Sequence, residues 1–135
     1  MVKTIRITTS AQGLREITQE VAAVVSSANI DEGLCTVFLQ HTSASLIIQE
    51  NADPSARRDL EVWLDRLVPE HDPLYTHTTE GADDMPAHIK AALTASSLAI
   101  PVIHGQLALG TWQGIYVWEH RHHGAQRQLA VHVSE

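Results

Sequence analysis

Residues 98–133, LAIPVIHGQLALGTWQGIYVWEHRHHGAQRQLAVHV, carry the strongest signal for the fold class. The pattern predicts short strands arranged as two hairpins, over residues 98–103, 106–109, 115–119 and 128–133. A His104-Gly105 turn joins the first pair, and the polar residues 120–127 join the second. Because strands follow one another here without intervening helices, a doubly wound parallel sheet is disfavoured.

The first half of the chain adds strands and one helix to this picture. Residues 2–8 alternate between apolar and polar side chains, as expected of a half-buried strand. Apolar residues then recur at helical spacing over residues 13–28, which predicts an amphipathic helix. Residues 34–40 are apolar on both faces and suit a central strand, which residues 46–48 would extend after a bend.

Two further helices are predicted from their starts. Asp53-Pro54 combines an acidic N-cap with a proline in the first turn, and Pro86 suits the first turn of another helix. The buried stripe of the earlier helix is predicted to be Leu60, Trp63, Leu64 and Leu67. Together these patterns predict an α+β fold: a single compact domain over residues 1–135, with a largely antiparallel sheet and about three helices.

The composition limits the function classes. The net charge is −7, which argues against non-specific nucleic-acid binding but leaves room for a local basic pocket. Cys35 is the single cysteine, so no internal disulfide can form, and its apolar neighbours predict a buried thiol. No apolar run approaches the roughly 20 residues of a membrane span, and no signal peptide is evident. We therefore expect a cytoplasmic protein without a membrane partner.

Residues 75–90, YTHTTEGADDMPAHIK, concentrate side chains that bind metals and transfer protons. Their ionisable members are His77, Glu80, Asp83, Asp84, His88 and Lys90. The two histidines are 11 positions apart, so they would share a metal only if the loop folded back, which Gly81 permits. The alternative is a charged helix entry, in which Asp83 or Asp84 caps the helix.

Two other segments could contribute to a site. His41 and the hydroxyls of residues 42–45 follow the predicted central strand, where they could ligate a metal or hold a phosphate, or simply satisfy a turn. The glycines around Trp112 in residues 110–114 could admit a ligand, or form a bulge with a core indole. The histidine-rich residues 119–123 are expected to form a solvated turn. No GxSxG elbow, P-loop, GxGxxG or zinc-finger cysteine set is present.

Read in order, HTSASLIIQEN, DP, HTTEGADDMPAHIKA and GQLALGTWQGIYVWEH closely resemble the motifs of the YjbQ-like family. The resemblance implies an α+β homotrimer with thiamine-phosphate synthase activity, main or secondary, in which a pyrimidine methyl diphosphate is joined to a thiazole phosphate. It also implies a divalent metal, zinc or magnesium, held by His41, His77 and His88. Glu50 and Glu119 match further motif positions.

The resemblance extends to catalytic and ligand-binding residues. It implies catalytic roles for His41, Lys90 and Glu80, the last as a general base or as a group that orients a histidine. The residues expected to bind the phosphorylated ligand are Thr42, Ser43, Asn51, Thr111, Trp112, Gln113 and Arg121. The chain departs from the family where Ala82 replaces an asparagine and where residues 119–124 replace a Pro-Arg turn, for which Arg121 or Arg127 would substitute.

Two rival functions are compatible with the same residues. One is a metal-dependent hydrolase or phosphatase of a small phosphorylated compound, since few basic residues accompany the motifs. The other is a non-catalytic trimeric module that binds a metal or a small anion.

Overall fold

The computed structural model describes residues 1–135 and contains eight strands and three helices. In chain order, the elements are β1 (Val2–Thr8), β2 (Gly13–Glu16), α1 (Thr18–Ala28), β3 (Gly33–Leu39), β4 (Ala44–Glu50), α2 (Pro54–Leu67), α3 (Asp84–Leu93), β5 (Ser97–Ile103), β6 (Gln106–Leu107), β7 (Gln113–Glu119) and β8 (Gln126–Ser134). No helix is long and apolar enough to cross a membrane. The predicted α+β class with three helices is confirmed.

The strands form two antiparallel sheets. The larger sheet has the order β1-β8-β3-β5-β6, and the smaller has the order β2-β7-β4. Helix α1 and the inner faces of both sheets enclose one apolar core, to which Val25, Val37, Val117 and Val131 belong. On the other side of the small sheet, Leu64 of α2 packs with Trp118 of β7 in a second cluster.

Strand β7 is buried on both faces, which explains its continuous apolar run. Ile115 and Val117 belong to the main core, while Trp118 belongs to the cluster beneath α2. A strand that is covered on both faces loses the period-2 alternation of a half-buried strand. It therefore lies at the centre of the small sheet, between β2 and β4.

Local signals predicted several elements well. Strand β1 has the predicted bounds, and the hairpin of β5 and β6 forms, with Val102 opposite Leu107. Helix α2 begins after Asp53, whose side chain accepts a 2.9 Å hydrogen bond from the Ser55 N–H as an N-cap should. Pro86 lies in the first turn of α3.

Other predictions were wrong because they depend on distant contacts. Residues 115–119 and 128–133 do not form a hairpin, since β7 and β8 belong to different sheets. Residues 46–48 lie in β4 of the small sheet and do not extend β3. The predicted helix over residues 13–28 is a helix only from Thr18, because Gly13–Glu16 pairs with β7 as β2.

The predicted buried stripe of α2 is also partly wrong. Leu64 is buried, but Trp63 and Leu67 are each about half exposed. The outer face of the large sheet likewise presents Leu34 and Phe38 of β3 to the surface. Apolar side chains therefore remain uncovered on two sides of the chain.

Candidate functional site

The side chains of His77, Asp84 and His88 converge at the start of α3. One nitrogen or oxygen atom from each lies within 4.8 Å of the other two. Oδ2 of Asp84 is 2.7 Å from Nε2 of His77 and 3.1 Å from Nε2 of His88. Two imidazole nitrogens and a carboxylate oxygen at this spacing form a donor set that suits a divalent cation. We call these residues the His-Asp-His cluster.

Local structure explains why the cluster forms. Asp84 and His88 are four residues apart on α3, so they lie on the same helix face. His77 precedes the helix and returns to it through a loop in which Gly81 has φ +105°. That backbone conformation is one that glycine adopts without strain. The folding back of residues 77–88 that a shared site requires therefore occurs, and the Asp84 side chain lies in the cluster and makes no cap hydrogen bond.

A contact from the loop between β3 and β4 orients His88. Its Nδ1 lies 3.0 Å from the carbonyl oxygen of Thr42. Because a carbonyl only accepts hydrogen bonds, Nδ1 must be the donor and must carry a proton. In the neutral imidazole, the lone pair is then on Nε2, which faces the cluster. Metal-binding histidines are commonly held by such a second hydrogen bond.

Arg121 fixes the carboxylates from the opposite side. Its Nη1 donates to Oδ1 of Asp84 at 2.6 Å, and its Nε donates to Oδ2 of Asp83 at 2.9 Å. Its Nη2 donates to the carbonyl oxygen of Glu80 at 2.9 Å. One guanidinium thus holds three points of the loop, and all three of its nitrogens are engaged. Arg121 was predicted to bind a phosphate, and in the structure its guanidinium contacts this loop.

Both aspartates are kept ionised. Burial acts to raise the pKa of Asp83, but hydrogen bonds from Arg121 and from the His122 N–H lower it to about 2. Burial also opposes ionisation of Asp84, yet the contacts with His77 and Arg121 hold its pKa below the usual value. Asp84 is only 2% exposed. An anionic carboxylate is the form that binds a metal.

His41 lies beside the cluster and is not part of it. Its Nε2 accepts a 2.8 Å hydrogen bond from the Gln128 N–H, which uses the one lone pair of a neutral imidazole. Burial, and next the charge of Arg127, lower the pKa of His41 and keep it neutral. His41 and His88 both border a cavity of about 320 Å³, with Ala91 and Ala92 on its wall. The structure therefore places His41 where it could meet a bound molecule.

The two other predicted catalytic side chains occupy different environments. Oε2 of Glu80 lies 3.8 Å from Nε2 of His77, and the Glu80 side chain is 62% exposed, so it lies near the cluster and is open to solvent. Lys90 is 4% exposed, and its Nζ donates to Asp65 of α2 at 2.5 Å. Lys90 therefore ties α3 to α2.

The remaining predicted residues separate into two groups at opposite ends of β4 and β7. Thr42 and Ser43 precede β4 at the cluster end, where Ala44 pairs with Glu119. At the other end, Glu50 pairs with Gln113, and the adjoining residues are Asn51, Thr111 and Trp112. At about 3.4 Å per residue, six steps of strand separate the ends by about 20 Å. Trp112 is 63% exposed. The second group cannot contact the cluster of its own chain.

A buried ion pair underlies the cluster end. Glu119 is fully buried and receives Nε of Arg127 at 2.8 Å and its Nη2 at 2.5 Å. The same carboxylate also accepts the Thr9 hydroxyl and the Arg121 N–H. Nη2 of Arg127 donates further to Oγ of Ser43 at 3.0 Å. The sequence carried no local signal for this pair, because seven residues of turn and strand separate its members.

His120 corrects the expectation of a solvated turn. It is 1% exposed, and its Nε2 lies 2.8 Å from Oγ of Ser45. Nδ1 has no hydrogen-bond partner. Burial first, and then the charge of Lys90, lower the pKa of His120 to about 3. This imidazole is therefore neutral and structural.

Comparison with known families decides where the chain belongs. The family described as "UPF0047 protein YjbQ-like" matches residues 3–135. The chain belongs to this family. A UPF0047 protein of Synechocystis is 53% identical over 128 residues, which cover 95% of this chain and 87% of the relative. The YjbQ protein of Escherichia coli O157:H7 is 42% identical over 94% of this chain and 92% of its own length.

Solved YjbQ-like structures agree with the fold. A Clostridium acetobutylicum protein of the family, 36% identical, superposes with a TM-score of 0.90 over 98% of this chain and 99% of its own. The hypothetical protein TT1486 of Thermus thermophilus, 32% identical, gives 0.88 over 98% of this chain and 99% of its own. The Clostridium protein is described as uncharacterized. These comparisons establish the family and the fold of this chain.

Proposed function

We propose that this YjbQ-like chain is a divalent-metal-dependent enzyme that acts on a small phosphorylated compound. The observation that carries the proposal is the His-Asp-His cluster, whose potential ligand atoms lie within 4.8 Å of one another. A divalent cation held there would supply positive charge to a phosphate or diphosphate oxygen of the substrate. Three protein ligands leave further coordination positions open, as in catalytic zinc sites.

The donor set favours zinc over magnesium. Two of the three atoms are imidazole nitrogens, and the third is a carboxylate oxygen of Asp84. Magnesium prefers oxygen ligands in octahedral geometry, whereas imidazole suits zinc and related transition metals. The hydrogen bond from Nδ1 of His88 to Thr42 also favours a ligating Nε2.

The specific reaction we propose is thiamine-phosphate synthesis, as a main or secondary activity. In that reaction the C–O bond to a diphosphate breaks, and a thiazole nitrogen forms the new C–N bond. His41, with its proton on Nδ1, would donate a hydrogen bond to substrate in the shared cavity with His88. Glu80 is exposed and close to His77, so it would accept a proton or orient that histidine.

The engaged cations favour a second candidate, a metal-dependent hydrolase or phosphatase. Arg121 and Lys90 already bind carboxylates, which leaves few free charges for two phosphorylated substrates at once. One phosphorylated substrate and water would need fewer cationic contacts.

A homotrimer in the cytoplasm completes the proposal. Leu34 and Phe38 lie exposed on the outer face of the large sheet, and Trp112 lies exposed about 20 Å from the cluster of its own chain. A neighbouring protomer would cover the apolar face and bring its Trp112 loop to the site. Native mass spectrometry checks this directly: a monomer at micromolar concentration would contradict it.

Metal analysis of protein prepared without a histidine tag tests the metal site. We expect one divalent ion per chain, lost in His77→Ala, Asp84→Asn and His88→Ala. His41→Ala should retain the ion, as should the control His104→Asn, which changes an exposed histidine in a left-handed backbone position. Loss of the metal ion in His41→Ala would instead support the ligand set of His41, His77 and His88 that the family resemblance implies. Retention of the ion in all variants would refute the metal site.

The reaction is tested separately on the metal-loaded protein. Thiamine phosphate formed from the two phosphorylated precursors should exceed that of His88→Ala and fall in Glu80→Gln. Release of inorganic phosphate from single phosphomonoesters, without any coupled product, would favour the hydrolase. Stoichiometric metal with neither product would leave a binding module and end the enzymatic proposal.

A further inference from the structure

A second cavity, of about 260 Å³, adjoins the His-Asp-His cluster behind Arg121. It is bordered by the loop before β4 and by the turn between β7 and β8, with Ser43, His123 and Arg127 on its wall. Water occupies about 30 Å³ per molecule in the liquid, so this space has room for a phosphate group. Asp83 also borders the cavity, and Oδ2 of its carboxylate accepts hydrogen bonds from Nε of Arg121 and from the His122 N–H.

Arg127 supplies the feature that points to a ligand. It is 4% exposed, and Glu119 holds its Nε and Nη2. Nη1 has no hydrogen-bond partner in the chain, and Arg127 lies on the wall of the cavity. A guanidinium that is otherwise buried and fixed presents a preorganised donor there. Guanidinium nitrogens in such positions suit oxyanions.

Neighbouring groups complete a set of donors. Oγ of Ser43 accepts a hydrogen bond from Nη2 of Arg127 at 3.0 Å, which leaves its own hydrogen free to donate into the cavity. His123 lies exposed at the rim. Gly124 closes the turn with φ +68°, and a Cβ there would lie 2.3 Å from the Thr9 carbonyl oxygen. The glycine thus lets the turn pack closely enough to form the cavity wall.

We infer that this cavity is an anion subsite, which takes a phosphate group of the substrate between Arg127, Ser43 and His123. The inference deepens the proposed function. Only the coupling between anion and metal rests on the proposed metal site. Around the cavity, the guanidiniums of Arg121 and Arg127 face the carboxylates of Asp83, Asp84 and Glu119, which makes the set net negative by one charge. A divalent cation in the cluster would make it net positive by one. Anion affinity therefore rises when the metal site is filled.

Titration calorimetry with sulfate tests the subsite, because sulfate is tetrahedral and stays soluble with zinc. We expect binding that is about tenfold tighter for zinc-loaded than for metal-free protein, in the usual range of coupling between sites. Ser43→Ala and His123→Ala should each weaken it by about tenfold or more, as expected for a hydrogen bond to a charged group. His104→Asn serves as the matched control and should leave the affinity unchanged. Methyl phosphate should bind at least as tightly as sulfate, since the subsite serves an esterified phosphate.

The position of the anion is read independently from the ¹⁵Nε resonance of Arg127, which should shift on titration. Sulfate affinity that is the same in Ser43→Ala, His123→Ala and the control would overturn the subsite, even if one metal per chain is found. Sulfate binding that responds to these variants but is equally tight with and without zinc would support the subsite and overturn its coupling to the metal. Rejection of methyl phosphate with retention of sulfate would overturn the assignment to a substrate phosphate.

Discussion

Glu119→Gln should destabilise the fold far more than its conservative appearance suggests. Each carboxylate oxygen of Glu119 accepts two hydrogen bonds: Oε1 from Thr9 and Nε of Arg127, and Oε2 from Nη2 of Arg127 and the Arg121 N–H. Glutamine would place an amide NH₂ at one of these positions. Because Arg127 donates to both oxygens, neither orientation of the amide avoids a conflict between donors.

The magnitude follows from burial. Glu119 is fully buried and Arg127 is 4% exposed, so the guanidinium loses its countercharge with little solvent to replace it. Breaking a buried ion pair by removing one partner costs about 3–5 kcal/mol. Two unmatched donors at about 1–3 kcal/mol each give about 2–6 kcal/mol, which includes that range. That is a large part of the 5–15 kcal/mol typical of a domain.

Urea unfolding at pH 7, followed by circular dichroism, measures the loss. Glu20→Gln is the matched control, because Glu20 pairs with Arg15 at 3.0 Å on the surface, where such pairs contribute about 0–1 kcal/mol. The double variant Glu119→Gln, Arg127→Gln should lose less than Glu119→Gln alone plus Arg127→Gln alone. A loss below about 1 kcal/mol in Glu119→Gln, or one equal to that of the control, would refute this reasoning.

Three other outcomes are expected. Because burial lowers the pKa of His120 to about 3, the unfolded chain binds a proton at this residue before the folded chain does, and stability should fall as the pH drops from about 6.5 towards 3. In urea unfolding across that range, His120→Gln should show a smaller change of the free energy of unfolding with pH, and an unchanged dependence would contradict the reasoning. Gly124→Ala should lower the melting temperature by several degrees, since it places a Cβ 2.3 Å from a carbonyl at φ +68°, whereas Gly105→Ala has a nearest contact of 3.4 Å and should lose less. Lys90→Met should lower the free energy of unfolding by less than about 1.5 kcal/mol and keep the metal, because Asp65 is half exposed and methionine fills a similar volume. Loss of the metal would show that Lys90 supports the site.

The sequence predicted those elements whose signals are local. Alternation over β1, the Asp53-Pro54 helix start and the His104-Gly105 turn each involve neighbouring residues, and each prediction holds. The partners of β7 and β8 were mispredicted because strand pairing depends on which faces are covered by distant elements. A short apolar run cannot specify those contacts by itself.

The candidate site was predictable to a similar extent. His77 and His88 were named as ligands, and the structure brings them together around a carboxylate. Asp84 was counted among the ionisable side chains of residues 75–90, with a helix cap by Asp83 or Asp84 as the alternative; its spacing of four residues from His88 places both on one face of a helix. The hydrogen bond that Nε2 of His41 accepts from the Gln128 N–H could not be predicted, because it joins residues that are far apart in the chain and no local pattern contains it.

The pairing of Glu119 with Arg127 joins the two sheets as well as two charges. Glu119 ends the central strand of the small sheet, and Arg127 lies near the start of β8 in the large one. The same two side chains bind Thr9, Ser43 and the backbone of Arg121. The way the two sheets pack and the shape of the site are therefore linked through this pair. Sliding of one sheet over the other would displace the Arg121 clamp and the wall of the anion cavity together. We therefore expect a core substitution that shifts one sheet against the other to change the shape of the site without touching any of its residues.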